Sequence, residues 1–362
     1  MTTVQVVLPD GIDDPARPSG GNSYDRRLCG ELAASGWDVR EMVVPGAWPG
    51  PDPASMSRLA RAVGAVPDGG LVLLDGLIAS AAAAVLVPES RRLRLVVLVH
   101  MPFGDVAVAA EAECAVLTHV HAVITTSAWT REQLLGRYRL PPERVHTARP
   151  GADRGERAPG TPGGGRLLCV AAVAHHKGPD LLLDALRGIA FPPWRCTFVG
   201  PLDRDPEFVE RLRRQCADSG MADRICFAGP RVGEELRRHY QAADVLVLPS
   251  RLEAYGMVVT EALAVGLPVI AAAVGGVPEA LGRTSGGPPG LLVPPDDADA
   301  LREALGTWLG DAGLRERLRR AASERRSSLE GWSATARRVA AVLVAAAGEP
   351  GRLPGARGAG ES

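Results

Sequence analysis

Short, continuous runs of Val, Leu and Ile recur along the chain, separated by stretches in which apolar residues return every three or four positions. In the first half the runs are Val4–Leu8, Val39–Val44, Leu71–Leu74, Leu95–Val99, Val120–Thr125 and Val145–Ala148. In the second half they are Leu167–Val173, Cys196–Val199, Ile225–Ala228, Val245–Leu248 and Val269–Ala272, with a weaker one at Leu291–Val293. Most lack the apolar–polar alternation of a half-exposed strand. They are expected as parallel strands covered on both faces by the intervening helices. The predicted class is α/β, with two Rossmann-like, doubly wound parallel sheets.

Residues 154–165 (RGERAPGTPGGG) show no apolar periodicity and read as a linker between a first domain over 1–153 and a second over 166–330. A last amphipathic helix is expected over 331–347, and the Gly-, Pro- and Arg-rich residues 348–362 as a disordered tail. In sheets of this kind ligands bind at the carboxyl ends of the strands. Chemistry is therefore expected in strand-to-helix loops of both domains, around a central cleft. Arg315–Arg326 reads as a solvated helix face, in preference to a membrane-docking surface. Asp203-Arg204-Asp205 precedes Pro206 and reads as a turn and helix cap, not a metal motif.

Composition narrows the classes. A chain of 362 residues is long enough for two cores, and 46% hydrophobic with 23% charged residues is typical of soluble globular proteins. A formal net charge of −1 argues against nucleic acid as a partner. Six scattered cysteines without a CxxC pair are expected to be reduced thiols in a cytoplasmic protein, with no metal site.

Lys177 is the only lysine among 41 lysines and arginines. It follows an apolar strand run and precedes Gly178, Pro179 and an amphipathic helix, where a compact ammonium suits a phosphate. A surface lysine spared by chance satisfies the same local pattern. In the strongest segment, Glu253 lies before a helix whose first turn is expected to hold Tyr255, Gly256, Met257 and Val258, with amides turned to an anion or sugar oxygen. Glu261, about two turns in, is placed to take vicinal hydroxyls. Two acidic residues beside an anion site favour a nucleotide sugar over a bare polyphosphate; a capping Glu253 and a solvated Glu261 remain the alternative. Gly20, Gly21 and Asn22 form a loop before a helix starting near Tyr24. His100 ends one strand and Asp75 another, Asp75 being equally suited to an acceptor contact or a helix cap. Ser127 reads as an N-cap.

Taken together, PSRLEAYGMVVTEALAVGLPVIAAAVGGVPE, CVAAVAHHKGPDLLLDAL and FAGPRVGEELRRHYQAADVLVLPS resemble the retaining glycosyltransferases of GT-B fold, family 4, also called glycosyl transferases group 1. The resemblance runs over nearly the whole chain. It implies a hexosyltransferase-type enzyme that moves a sugar from a nucleotide diphosphate donor, UDP- or GDP-linked, to an acceptor hydroxyl with retention. Lys177 would neutralise the diphosphate in place of a divalent cation, so no cofactor is implied. Glu253 would lie near the sugar, with the amides of Tyr255 to Val258 on its hydroxyls, Glu261 on the ribose, and the loop around Val232 on the base. Gly20 and Gly21 would approach the distal phosphate, His100 would position sugar or acceptor, and the last helix would cross back to the first domain. The acceptor is left open among small molecules, glycans and lipid-linked compounds, with peripheral membrane contact an unsupported possibility. In one respect the chain departs from the family: Ala171-Ala172 stands where a Gly-Arg pair usually contributes a second cation, with Arg231, His175 or His176 as replacements. The competing expectations are a GT-B-like nucleotide-sugar epimerase and a non-catalytic nucleotide-sugar-binding protein.

Overall fold

The computed structural model describes residues 2–103 and 107–348. β1 (Thr3–Pro9), β2 (Asp38–Val44), β3 (Leu71–Asp75), β4 (Arg94–Val99), β5 (Ala122–Thr125) and β6 (Val145–Thr147) form one sheet in the order β2-β1-β3-β4-β5-β6. β7 (Arg166–Val170), β8 (Arg195–Val199), β9 (Ile225–Gly229), β10 (Val245–Leu248), β11 (Val269–Ala272) and β12 (Gly290–Val293) form a second, in the order β12-β11-β10-β7-β8-β9. All pairings between these strands are parallel.

Each apolar run is thus a strand, and the reason for its continuity is visible in β7. Leu167 and Cys169 point into one apolar cluster with Trp308 and Phe198, while Leu168 and Val170 point into another with Val259 and Leu263. A strand buried on both faces has no polar side. Both sheets reverse direction around their first strand, so that β1 lies between β2 and β3, and β7 between β8 and β10. Loops leaving the carboxyl ends on either side of such a point diverge and leave room for a ligand.

The chain divides into two compact units. One comprises the described parts of Met1–Ile12, Gly21–Pro150 and Trp332–Ser362; the other comprises Asp13–Gly20 and Gly151–Gly331. The helix Trp332–Gly348 packs on β3, β4 and β5 of the first unit. Its Thr335 Oγ1 donates to Arg149 O at 2.7 Å, and the Trp332 ring stands edge-on to Tyr24 at 5.4 Å. The expected tail beyond Gly348 lies outside the described residues. None of the described helices is long and apolar enough to cross a membrane. All six cysteines are free thiols.

Residues 154–165, expected as a connector, are tied to the second unit. Arg154 Nη2 donates to Ser327 O and Leu329 O, Ala158 N donates to Val265 O, and Trp308 Nε1 donates to Gly164 O at 2.8 Å. Buried Asp244 accepts from Thr161 N, from Thr161 Oγ1 at 2.7 Å and from Arg166 N at 2.9 Å. The helix Ala312–Ser328 holds the same segment, which corrects the reading of Arg315–Arg326 as a solvated face. Arg315 is 7% exposed and donates to Trp308 O, Leu309 O and Pro162 O. Arg319 reaches Thr161 O, Arg325 reaches Leu281 O, and Arg326 reaches Ala264 O and Gly155 O. Irregular backbone has carbonyls without ladder partners, and the multiple donors of a guanidinium satisfy several at once. Asp244→Ala is expected to orphan two backbone N–H groups, lowering stability by about 1–3 kcal/mol. Chemical denaturation checks the loss, and faster proteolytic cleavage within 154–165 checks its location.

Candidate functional site

In the second unit the residues expected to bind a donor leave adjacent strands. β7 and β10 pair directly, so the turn after one lies beside the loop after the other. β7 leads into a tight turn, His175–Lys177, then Gly178 and the helix Pro179–Arg187. Gly178 has φ +67°, and a Cβ there would stand 2.1 Å from Pro249 O. Only glycine lets the two turns approach this closely. The approach brings Lys177 Nζ to 2.7 Å from Glu253 Oε1, which also accepts from Ser250 Oγ at 3.0 Å. The two side chains are 22% and 12% exposed, so the pair is shielded yet open to a ligand.

The loop after β11 supports Glu253 from the other side. Gly275 has φ +54°, a Cβ there would overlap Glu253 O, and Gly276 N donates to that oxygen at 3.3 Å. The helix begins later than expected, at Met257. Gly256 has φ +88°, which breaks the helical path, so Tyr255 and Gly256 precede the helix. Met257 and Val258 begin it, where amides lack intrahelical acceptors. Tyr255 is 6% exposed and belongs to the apolar core. Glu261 lies little more than one turn into the helix. It accepts a 2.6 Å hydrogen bond from Tyr240 OH. Burial, reinforced by Glu261, holds the Tyr240 phenol well above its ordinary range, so it remains a donor. Val232 precedes the helix Gly233–Ala242 and is 43% exposed, an uncommon position for a valine.

The candidates for the missing arginine have other partners. Arg231 donates to Pro230 O and lies 3.5 Å from Glu235, and the His175 ring rests edge-on against Phe208. Burial and the neighbouring Lys177 charge lower the His176 pKa, leaving it neutral at pH 7. Arg251, which the sequence reading did not single out, braces the lysine turn instead. It grips both oxygens of Asp180 at 2.9 and 2.8 Å, Asp296 at 2.7 Å and His175 O at 2.7 Å. Burial alone would raise Asp180, but Arg251 pulls it below the ordinary carboxylate range. Finding Arg251 requires knowing that β7 and β10 are neighbours.

Gly20, Gly21 and Asn22 lie in the first turn of the helix Gly20–Ala34, which belongs to the first unit from Gly21 onward, and not in the loop expected before it. This places Asp25 one turn in. A Cβ on Gly21 would stand 3.2 Å from the His100 ring, and His100 Nε2 lies 2.8 Å from Asp25 Oδ1. Asp75 caps the short helix after β3 through Leu77 N at 2.6 Å, yet it also faces Asp25 and His100. Beneath, buried Glu113 accepts from Ser80 Oγ, Phe103 N and Tyr138 OH and so anchors the loop after His100. Gly104 and Asp105 of that loop lie outside the described residues. Ser127 and Asp205 cap their helices through Thr130 N and Phe208 N, as expected. Burial opposes charge on His100, but the charge and hydrogen bond of Asp25, with the charge of Asp75, raise it to about 9. Burial and then the Asp25 charge raise Asp75 to about 8.

The second unit thus offers a cation, amides and two carboxylates suited to a phosphorylated, hydroxyl-rich ligand. The two-sheet architecture is the GT-B fold. A sucrose-phosphate synthase from Thermosynechococcus elongatus superposes with a TM-score of 0.79 at 24% identity, over 95% of this chain and 99% of that one. Anabaena Alr3699/HepE in complex with UDP-glucose gives 0.78 at 17% identity, over 95% and 100%. Residues 159–325 match glycosyl transferases group 1, and this part of the chain belongs to that family. A D-inositol 3-phosphate glycosyltransferase from Frankia alni is 36% identical over 235 residues, 60% of this chain and 57% of that protein. Another from Geodermatophilus obscurus is 33% identical over 268 residues, 68% and 55% respectively. The matched region therefore spans little more than half the length of these curated relatives.

Two outcomes follow from this geometry. Arg251→Lys keeps a charge but loses the forked contact, so denaturation should show a loss of about 1–3 kcal/mol, the lower end reflecting partial exposure. The raised pKa of His100 stabilises the fold fully below its unfolded value of 6.5, and this contribution is lost as pH rises through about 9. Asp75, raised from 3.8 to about 8, also binds more protons folded than unfolded within that range. For these groups stability should fall as pH rises from 6.5 to about 9, and Asp25→Asn should flatten the slope in a series of thermal melts.

Proposed function

We propose that the protein is a retaining glycosyltransferase that moves a hexosyl group from a nucleotide diphosphate sugar to an acceptor hydroxyl. The observation that carries this reading is the 2.7 Å pair of Lys177 and Glu253 beside the start of the helix Met257–Ala264. An incoming diphosphate takes the ammonium from Glu253, a charge-assisted contact worth roughly 1.5–3 kcal/mol. Glu253, still held by Ser250, is then available to accept from sugar hydroxyls. Glu261, braced by Tyr240, accepts from the ribose, and exposed Val232 gives the base an apolar surface. His100 orients the sugar or the acceptor.

As the anomeric C–O bond breaks, its electron pair stays on the diphosphate. Lys177 and the Met257 and Val258 amides stabilise the charge that develops there. The acceptor oxygen bonds to the same face of the sugar, and its proton passes to the departing phosphate oxygen. Lys177 fills the part of a divalent cation in this scheme. With alanine at position 172, donor binding depends more heavily on this one ammonium. The bound ligand of the Anabaena neighbour makes UDP-sugars the first donors to try. The names of the curated relatives suggest a phosphorylated polyol among the acceptors.

The test is a thermal-shift series with UDP-, GDP-, ADP- and dTDP-sugars, followed by turnover assays. One donor should stabilise the wild type, by about 2.7 kcal/mol at a hundredfold excess over Kd, and stabilise Lys177→Ala far less. The variant should lose about 10²–10³ in kcat. Stabilisation unaffected by Lys177→Ala defeats the proposed site. A covalent sugar on Glu253 in a mass spectrum defeats the same-face mechanism, and an epimer formed from donor alone identifies an epimerase.

A further inference from the structure

Asp25, Asp75 and His100 form a cluster whose proton count is constrained by burial. Candidate ligand atoms of the three residues lie within 4.8 Å of one another, and the two aspartates are 3% and 4% exposed. Asp75 Oδ1 accepts from Leu77 N, Asp25 Oδ1 pairs with His100 Nε2, and Asp25 Oδ2 is buried with no donor. Two carboxylates this close and this dry cannot both stay ionised, because each repels the other and neither is solvated. One proton between them removes the repulsion and gives Asp25 Oδ2 the donor it lacks. Of the two neutral arrangements left, one puts the last proton on Asp25 and the other on His100. Imidazole is ordinarily the stronger base by about 2.6 pH units, so the proton belongs on His100.

We propose that Asp25 and Asp75 share one proton and together hold His100 as an imidazolium, with Nδ1 serving as a fixed N–H donor for a substrate oxygen. A neutral imidazole bonded to Asp25 through Nε2–H would instead present Nδ1 as an acceptor. The carboxyl pair therefore determines which kind of ligand atom His100 recognises: an ether, hydroxyl or phosphate oxygen with a lone pair. Asp25 and Asp75 are positioning residues that act through His100. Other titratable groups beside Asp25 are Tyr24 and Cys29 of the same helix, and the charge of Arg338 on the helix Trp332–Gly348 acts on Tyr24. Burial raises both Tyr24 and Cys29, which keeps them uncharged at neutral pH. The same three groups also make up a donor set for a divalent cation, which would displace both protons.

The inference rests on the reading of His100 as a substrate-facing residue, but its charge can be measured without substrate. In the full-length chain labelled with ¹⁵N-histidine, the His100 ring is assigned with His100→Gln and titrated by NMR. The expected wild-type result is an imidazolium signature at about pH 7.5 with a midpoint near 9. Asp25→Asn should lower the midpoint by about two units. Asp75→Asn, whose amide N–H replaces the acid O–H toward Asp25, should leave His100 charged at about pH 7.5. A neutral wild-type ring at that pH overturns the proposal without any variant. So does an Asp75→Asn variant as neutral as Asp25→Asn, or a wild-type His100 resonance displaced by micromolar zinc. A charged His100 in a protein that binds no donor would defeat the proposed function and leave this inference standing.

Discussion

The contact between Lys177 and Glu253 is the interaction on which the chemistry proposed for the second unit depends. Its two halves are 76 residues apart in sequence, and they meet because β7 and β10 are neighbours in the sheet. Backbone rather than side chains sets the distance. Gly178 allows one turn to lie on Pro249, and Gly275 allows the β11 loop to lie on Glu253. Any Cβ at either glycine would push the ammonium and carboxylate apart, in a left-handed backbone that other residues rarely adopt. Arg251 then ties the lysine turn to Asp180 and Asp296, so the ammonium is presented from a braced loop.

The first unit handles charge differently. Where the second unit pairs one ammonium with one carboxylate, the first gathers two buried aspartates and a histidine into one cluster. The helix Gly20–Ala34 supplies Asp25, the end of β3 supplies Asp75, and the residue after β4 supplies His100. Glu113 fixes the following loop through Phe103 N, so the imidazole stands on a supported backbone. Removing His100 would leave the two aspartates and their shared proton with a net negative charge that the buried surroundings do not solvate.

Arginine's near monopoly of positive charge acquires a structural meaning in the helix Ala312–Ser328. Its guanidiniums cap carbonyls of the 154–165 segment and of two core helices, tasks that suit a planar fork with several donors. An ammonium has three donors, but on a single nitrogen, so it spans less separated carbonyls than a planar fork does. At position 177 the proposed function sets a different requirement: a point charge on a flexible stem that can pass from a carboxylate to a phosphate.

The order of strands and helices could be read from the chain alone. Every expected strand run is a strand, because burial on both faces demands unbroken apolar runs. Lys177, Glu253 and Glu261 could be singled out because their motifs are local, each confined to one loop and the helix that follows. Ser127 and Asp205 were legible as caps for the same reason. What folding decided was which of these loops are neighbours. Arg251, Tyr240 and Asp25 gain their partners only when strands distant in sequence are placed side by side, and no periodicity encodes that pairing. The arginines of Ala312–Ser328 looked solvated for the same reason, since the carbonyls they cap belong to backbone elsewhere in the chain. Local pattern specifies elements and their ends; long-range pairing specifies which charges meet, and therefore which protons and ligands they hold.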